Sequence, residues 1–328
     1  MSKLRIGLLG AARIATPFIA GAKLSSRAEV VAVASRDPAR AKAFADTHGV
    51  PHALTYEQLL AAKEIDAVYI ALPNSLHAHW SMAAARAGKH VLCEKPLALS
   101  EAEAIEMFSA ADAAGVVLLE GYPFLFQPQT LEIERLIQAG EIGRVQTIFA
   151  TCGFTLSNPD DFRLDPTMGG GALLDVGCYP VSLIRQLAGA RPTRVTATAQ
   201  WHGGVDRTLA ATLEFASGTI AQLSCSFASG LVRTAVIAGS EGIIETDYGN
   251  HTIRSAAPSF GLRRGSDWRR PTERIAVPRE DGFRLEIDAF AAMIDGSDRD
   301  QQAARRAASI DIAWILETIL ARARVASS

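Results

Sequence analysis

The chain is poor in the features that would tie it to a metal, a disulfide framework, a membrane or a nucleic acid. Its four cysteines (Cys93, Cys152, Cys178, Cys225) are scattered and form no Cys-x-x-Cys pair. That spacing offers no zinc ligand set and fits reduced thiols. No uncharged apolar run is long enough to span a bilayer. Lys3 and Arg5 precede an apolar stretch in the manner of a secretory leader, but Arg13 interrupts it and a strand–helix pattern follows. The stretch therefore reads as a structural strand, and a cytoplasmic location is expected. Charge of one sign is also lacking: 33 Lys and Arg stand against 35 Asp and Glu, for a net charge of -2. The basic clusters Arg263-Arg264 and Arg269-Arg270 are short and read as solvated surface. Neither nucleic acid nor an anionic membrane is an expected partner, since both need a concentrated positive field. Internal repeats and low-complexity linkers are absent too, so two directly packed domains are expected.

What is present is a globular chain of 328 residues, 48% apolar, long enough for two domains with substantial cores. Its first third alternates short apolar runs with alanine-rich helical stretches. Strands are predicted at Leu4–Leu9, Val30–Ala34, Ala67–Leu72, His90–Cys93 and Val116–Glu120. Helices are predicted at Arg13–Leu24, Ala39–Thr47, Ser75–Ala87 and Glu101–Ala114. Asp37 and Ser100 are the expected helix caps. Strands alternating with helices imply right-handed crossovers and a doubly wound parallel sheet of the Rossmann type. After Gly121 the pattern changes. Leu209, Ala211, Leu213 and Phe215 share one face of a strand, and so do Ala221, Leu223, Cys225 and Phe227. Gly-containing turns between such strands predict a C-terminal α+β domain with a largely antiparallel open sheet. Helical patterns cover Thr130–Ala139, a stretch from about Asp175 to Leu187, Phe283–Ile294 and Gln301–Val325, while 256–272 reads as a polar loop. The expected domains are a dinucleotide-binding domain at 1–121 and a domain for substrate binding and oligomerisation at 122–328.

Gly10-x-Ala12-x-x-Ala15, between the first strand and the first helix, is a Gly-x-Gly-x-x-Gly fingerprint with alanine at its second and third glycine positions. Gly10 makes the tight turn, Ala12 lets the backbone approach a pyrophosphate, and Ala15 permits close helix–strand packing. Ala11, Arg13 and Ile14 complete the turn, whose free N–H groups and helix dipole favour an anion. The second strand ends at Ser35-Arg36. Ser35 stands twenty positions after Ala15, where an NAD enzyme carries a carboxylate for the ribose hydroxyls. Serine followed by arginine suits a 2′-phosphate, with Arg36 donating charge-assisted hydrogen bonds and Arg40 assisting. NADP(H) is therefore favoured over NAD(H), against the plainer reading of Arg36 as an ordinary surface arginine.

Three further segments stand together: Leu72-Pro73-Asn74-x-x-His77 after one strand, Glu94-Lys95-Pro96 after the next, and Asp175-Val176-Gly177-Cys178-Tyr179 in the second half. With the fingerprint, and in this order and approximate spacing, they make the chain resemble the glucose–fructose oxidoreductase / inositol dehydrogenase (Gfo/Idh/MocA) family over essentially its whole length. Inositol dehydrogenase-like members end the last motif in histidine. Tyr179 places the resemblance in the branch that holds NADP-dependent xylose dehydrogenase and dimeric dihydrodiol dehydrogenase. The resemblance implies Lys95 and Tyr179 as the catalytic pair with Asp175 beside them. It puts Asn74, Glu94 and Pro96 near the nicotinamide end, and Leu72, Pro73 and His77 join them as cofactor-site candidates. It also implies a homodimer or homotetramer formed through the open sheet.

The residue chemistry agrees with those roles. Hydride transfer from a carbinol needs a base for the hydroxyl proton, or an acid during reduction. A free tyrosine, with a pKa of about 10, is mostly protonated at neutral pH, and a nearby ammonium favours its phenolate. Lys95 can also stabilise negative charge developing on the substrate oxygen. The plainer readings are a surface lysine and a core tyrosine. On a helix, Asp175 and Tyr179 share a face one turn apart, although Pro180 would kink a helix that starts before Gly177. His77-x-His79 has no third ligand in view, so no metal is expected. Cys178 reads as packing. Arg163, ahead of Gly169-Gly170-Gly171, and Tyr122 are candidates for contacting substrate. Relatives in this branch often carry arginine and histidine where Leu125 and Gln127 stand, which predicts a less cationic substrate cavity.

The expected function is an NADP(H)-dependent oxidoreductase moving hydride between nicotinamide and a carbinol or carbonyl of a sugar, polyol or related cyclic diol. The alternatives are a dihydrodiol or dicarbonyl reductase, and a non-enzymatic NADP-binding regulator. Retention of both Lys95 and Tyr179 argues against the regulator.

Overall fold

The computed structural model describes residues 3–249, 256–267 and 269–326, and the chain divides into two compact units. In the first, β1 (Leu4–Leu9), β2 (Ala28–Ala34), β3 (His52–Leu54), β4 (Ala67–Ile70), β5 (His90–Glu94) and β6 (Leu118–Gly121) build one sheet in the order β3-β2-β1-β4-β5-β6. Every pairing in it is parallel. The strand order reverses between β1 and β4, the place where ligands enter doubly wound sheets. Leu8, Leu9, Val68, Tyr69, Ile70 and Leu92 are fully buried, as continuous apolar strands must be when helices cover both faces.

The helices of this unit start and stop where the local chemistry dictates. α1 spans Ala15–Leu24, α2 Pro38–His48, α3 Tyr56–Ala61, α4 His77–Arg86 and α5 Glu101–Ala114. Asp37 caps α2 by accepting from the Ala39 N–H at 2.9 Å, with Pro38 at the first helical position and Gly49 left-handed after the end. Ser100 caps α5, which has the predicted bounds. β3 and α3 go beyond the sequence prediction. Thr55 and Gln58 form a capping box there, a signal legible as Thr-x-x-Gln.

The second unit contains α6 (Pro128–Gln138), β7 (Val145–Thr155), α7 (Cys178–Ala188), β8 (Arg194–His202), β9 (Val205–Glu214), β10 (Ile220–Ser226), β11 (Ala228–Gly239) and β12 (Gly242–Thr246). β13 (Ser259–Arg264), β14 (Glu273–Ala276) and β15 (Ala323–Val325) complete a nine-stranded sheet in the order β14-β13-β12-β11-β7-β10-β9-β8-β15. It is largely antiparallel, as predicted, with parallel pairings of β7 with β10 and β8 with β15. Val195, Ala197, Ala199, Leu209, Leu213, Ala221 and Leu223 are buried on one face. Two sequence expectations are corrected here. The stretch 256–272 is no polar loop throughout, because Phe260 and Leu262 of β13 are buried. The last helical pattern does not reach Val325, since residues 323–325 pair with β8.

The chain then returns to the first unit. Asp281–Ile310 belongs there, with α8 (Gly282–Ile294) and the first half of α9 (Arg299–Arg322). A Cβ on Gly21 would lie 2.7 Å from the Phe283 Cβ, so the absent side chain is what lets α8 approach α1. Ser25 donates to Asp288 at 2.5 Å, and Arg27 pairs with Asp295 at 2.6 Å. The sequence assigns all of 122–328 to the second domain. Residues 281–310 depart from that because a glycine opposite a phenylalanine is a tertiary match, invisible to local periodicity. Among the described residues no helix is long and apolar enough to cross a membrane, and all four cysteines are buried thiols.

Candidate active site

The first unit gathers its predicted residues around the carboxyl ends of β1, β2, β4 and β5. Gly10 leaves β1 with φ +113°, and a Cβ on it would stand 2.6 Å from the Ala71 carbonyl oxygen. Only glycine fits that turn. Residues Ala11, Ala12, Arg13 and Ile14 lead into α1, which begins at Ala15 instead of Arg13. The first turn of α1 carries no acidic residue, and no side chain caps it. The N–H groups of Ala15 and Thr16 bond the Ala12 and Arg13 carbonyls at 3.0 and 3.2 Å, so it is the helix dipole at this acid-free end that favours an anion.

At the end of β2, Ser35 is buried and accepts the Asp37 N–H at 3.2 Å, while Arg36 is exposed. Arg40 reaches back across the glycine turn, donating from Nη2 to the Ala11 carbonyl at 3.0 Å. Tyr56 from α3 stands beside Arg36. Burial raises the Tyr56 phenol above its ordinary value, and Arg36 and Arg40 oppose the rise. Tyr56 was missed by the sequence prediction because α3 itself was missed.

His77, at the start of α4, is fully buried. Its Nδ1 lies 2.8 Å from the Pro96 carbonyl and its Nε2 2.9 Å from the Leu72 carbonyl. Burial pushes its pKa down against both carbonyls; the neutral ring this favours has one N–H to donate, and the buried ring stands between the turns after β4 and β5. The Leu72-Pro73-Asn74 turn and the Glu94-Lys95-Pro96 turn therefore both border this one buried side chain. Glu94 accepts from the Tyr69 hydroxyl in a short hydrogen bond and from the Lys95 N–H at 3.3 Å. Tyr69 in turn stacks on Phe18 with centroids 3.8 Å apart. The Lys95–Pro96 peptide is cis. Glu120, at the end of β6, accepts the Leu97 N–H at 2.8 Å and fastens the far side of the lysine turn. Burial pushes the Glu120 carboxyl up to about 7, against hydrogen bonds from Ser309, Leu97 and Tyr122. Tyr122 is thus a buried partner of Glu120. Glu286 of α8 is fully buried nearby and pushed well up by desolvation and then by the Glu94 charge, against the Tyr122 backbone and Arg305. None of Tyr69, Glu120 or Glu286 was singled out by sequence.

The second unit holds Asp175, Tyr179 and Arg163. A glycine-rich turn precedes them. A Cβ on Gly170 would lie 2.6 Å from the Arg163 carbonyl oxygen. Gly171 has φ +117° and lies against Asp206, whose Oδ2 accepts the Leu173 N–H at 2.7 Å. Leu173–Gly177 is a π-helical turn that runs straight into α7. Pro180 lacks the N–H that an α-helical turn through this region would use, and the wider turn absorbs the mismatch. Asp175 accepts from Arg163 Nε at 2.9 Å, and Arg163 also meets Asp161 at 3.2 Å. The guanidinium proposed for substrate is therefore engaged by two carboxylates.

Tyr179 sits in an aromatic group with Phe124, 6.1 Å away between centroids, and Phe124 in turn packs edge-on against Tyr248. Into that group β11 sends Arg233. Its guanidinium lies 4.0 Å from the Tyr179 ring centroid, 5.0 Å from that of Tyr248 and 5.4 Å from that of Phe124. Leu125 and Gln127 are both buried. Neither brings a charge to the Tyr179 ring, whereas Arg233 brings one from β11. Among the described residues, no group of three or more His, Cys, Asp or Glu side chains is placed to hold a metal. Lys95 lies in the first unit and Tyr179 in the second.

Comparison with known proteins adds what geometry alone does not. Residues 4–122 match a family described as "Oxidoreductase family, NAD-binding Rossmann fold" (GFO_IDH_MocA), and residues 130–245 match the GFO/IDH/MocA C-terminal domain. A D-xylose 1-dehydrogenase (NADP(+)) of Haloferax volcanii is 39% identical over 296 residues, 89% of each chain. A trans-1,2-dihydrobenzene-1,2-diol dehydrogenase of Danio rerio is 35% identical over 74% of each. The crystal structure of KijD10, a 3-ketoreductase from Actinomadura kijaniata in complex with NADP and TDP-benzene, superposes with a TM-score of 0.90. It has 30% identity and covers 99% of both chains.

Proposed function

The chain belongs to the Gfo/Idh/MocA oxidoreductase family, and on that premise we propose that it is an NADP(H)-dependent oxidoreductase acting on a carbinol or carbonyl of a sugar, polyol or related cyclic diol. The observation that carries the reading is the end of β2, where a buried serine and an exposed arginine stand in place of a ribose-binding carboxylate. The residues present fit a dinucleotide: an uncapped, acid-free helix start after Gly10, Arg40 fastened over the turn, and Arg36 open to a 2′-phosphate. When bound, NADP(H) supplies or accepts the hydride at its nicotinamide ring.

The chain's own residues would move the proton. In reduction the Tyr179 hydroxyl donates to the substrate oxygen, and in oxidation its phenolate takes the carbinol proton. Asp175, held by Arg163, fixes the turn that presents Tyr179. Lys95 offsets negative charge on the substrate oxygen, and its turn is braced by Glu94, His77 and Glu120. A dihydrodiol reductase is the second reading. The name of the Danio rerio relative supports it, while Phe124 and Tyr248 beside Tyr179 are fully buried and form no substrate wall. We place self-association, as a homodimer or homotetramer, on the open face of the second sheet, where Phe149 and Ile220 are each 45% exposed. The four buried thiols support a cytoplasmic location.

The test is to mix the protein with NADP and a panel of aldoses, polyols and trans-dihydrodiols and follow the absorbance of the reduced nicotinamide. Turnover of at least one compound is expected, with NADP preferred to NAD. No turnover across the panel in either direction, with NADP bound, would favour the non-enzymatic regulator.

A further inference from the structure

Arg233 is absent from every motif that identifies the family-like site, yet the fold brings it to Tyr179. It follows an irregularity in β11, where pairing with β7 breaks off after Ala228 and resumes at Val232. Such bulges re-aim side chains beside functional sites. Arg233 is the second residue after pairing resumes, opposite Cys152, and its neighbours Ala235 and Ile237 mark the same face as the covered one. The guanidinium then lies over three rings, nearest that of Tyr179 at 4.0 Å.

We propose that Arg233 is a positioning residue for Tyr179, seating its ring and favouring the phenolate over the phenol. This inference rests on Tyr179 being the acid/base group. Two physical effects act in the same direction. A cation over an aromatic face is attracted to the ring's π density, and the attraction grows when the ring becomes a phenolate. A guanidinium also keeps its charge at every working pH, so a lasting positive charge stands over the ring that carries the hydroxyl. The second tyrosine in the group does not compete for this role. Tyr248 is 1% exposed, its hydroxyl donates to the Thr151 carbonyl at 2.8 Å, and burial raises it well above its ordinary value. Tyr179 is only partly buried, which leaves its side chain within reach of a substrate.

Among the described residues, the elements around the start of α7 also carry Arg185, further along α7 and paired with Asp311 at 2.6 Å, and Arg207 and Glu214 on β9. Asp175 and Cys178 lie on the same helical segment, Cys152 on β7, Asp206 on β9 and Cys225 on β10. Burial raises Asp206 to about 7 and Cys225 well above its ordinary value. Arg163 is taken up by Asp161 and Asp175. Arg233, from the same unit, meets the Tyr179 ring directly.

The experiment reads Tyr179 directly. Subtracting the ultraviolet pH titration of Tyr179→Phe from that of the unsubstituted protein isolates one phenol. The same subtraction is then made in an Arg233→Met background. Loss of the guanidinium is expected to raise the proton affinity of Tyr179 about tenfold, with NADP affinity unchanged, and Arg233→Lys is expected to recover part of the difference. If Arg233→Met does not fold, Arg233→Gln, which keeps a polar head, carries the same expectation. An identical Tyr179 titration with and without the guanidinium overturns the inference. The acid/base reading fails separately: full turnover by Tyr179→Phe removes it while leaving the titration result intact.

Discussion

Replacing Arg36 with alanine removes a guanidinium from the end of β2 without disturbing the sheet, because the side chain is exposed and the strand's pairing uses backbone atoms. Loss of a charge-assisted hydrogen bond to a 2′-phosphate costs about 1.5–3 kcal/mol, which is roughly 12- to 150-fold in affinity. Two features push the expected value towards the lower end. The site is open to solvent, which screens charge, and Arg40 remains close by with its guanidinium on the Ala11 carbonyl. NAD lacks the phosphate and should lose less than about threefold, the remaining effect being stacking on the adenine. Calorimetric titration of both dinucleotides into Arg36→Ala and the unsubstituted protein gives the ratio directly. Equal weakening of NADP and NAD would mean that Arg36 does not read the phosphate. The reciprocal change, Ser35→Asp, should repel NADP and improve NAD by returning a carboxylate to the ribose hydroxyls.

Two more outcomes follow from buried groups and close approaches. Asp206 is raised to about 7 by burial, so it is protonated in the folded protein at low pH, and the stability it contributes there is lost as pH rises from roughly 4 to 7. Asp206→Asn should remove that loss, up to about 4 kcal/mol, so its melting temperature should gain on that of the unsubstituted protein between roughly pH 4 and 7; parallel curves would contradict the raised value. Gly21→Val should cost about 1–3 kcal/mol in urea unfolding by pushing α8 off α1, since a Cβ already falls 2.7 Å from the Phe283 Cβ. A cost below about 0.5 kcal/mol, the range of ordinary surface changes, would place the contact elsewhere.

Much of the first unit is legible in the sequence because its signals are local. A run of six apolar-rich residues, a glycine turn and an alanine-rich helix specify β1, the phosphate turn and α1. Asp37-Pro38 and Ser100 announce α2 and α5 at their caps. Period-2 alternation gives β8, β9 and β10 for the same reason. What stays hidden depends on residues far apart in the chain. β13 carries only Phe260 and Leu262 as buried anchors between polar residues, too few to outweigh the Arg and Gly around them. The brace on Lys95 comes from Glu120, twenty-three residues from its partner Leu97, and is fixed by the neighbouring register of β5 and β6. Arg233 reaches Tyr179 only because a bulge and the pairing of β11 with β7 put it there. Arg163 reads in sequence as a candidate for contacting substrate, and only the folded turn shows that Asp161 and Asp175 engage it.

The central claim is that Tyr179 moves the proton during NADP-dependent hydride transfer. Single-turnover rates of Tyr179→Phe, with the substrate identified by the panel and saturating NADP, test it most directly. General acid–base catalysis by a positioned side chain is worth about 10²–10⁴-fold, so the rate should fall by that much while NADP affinity stays the same. A rate within about threefold of the unsubstituted protein, far less than such a group supplies, would contradict the account.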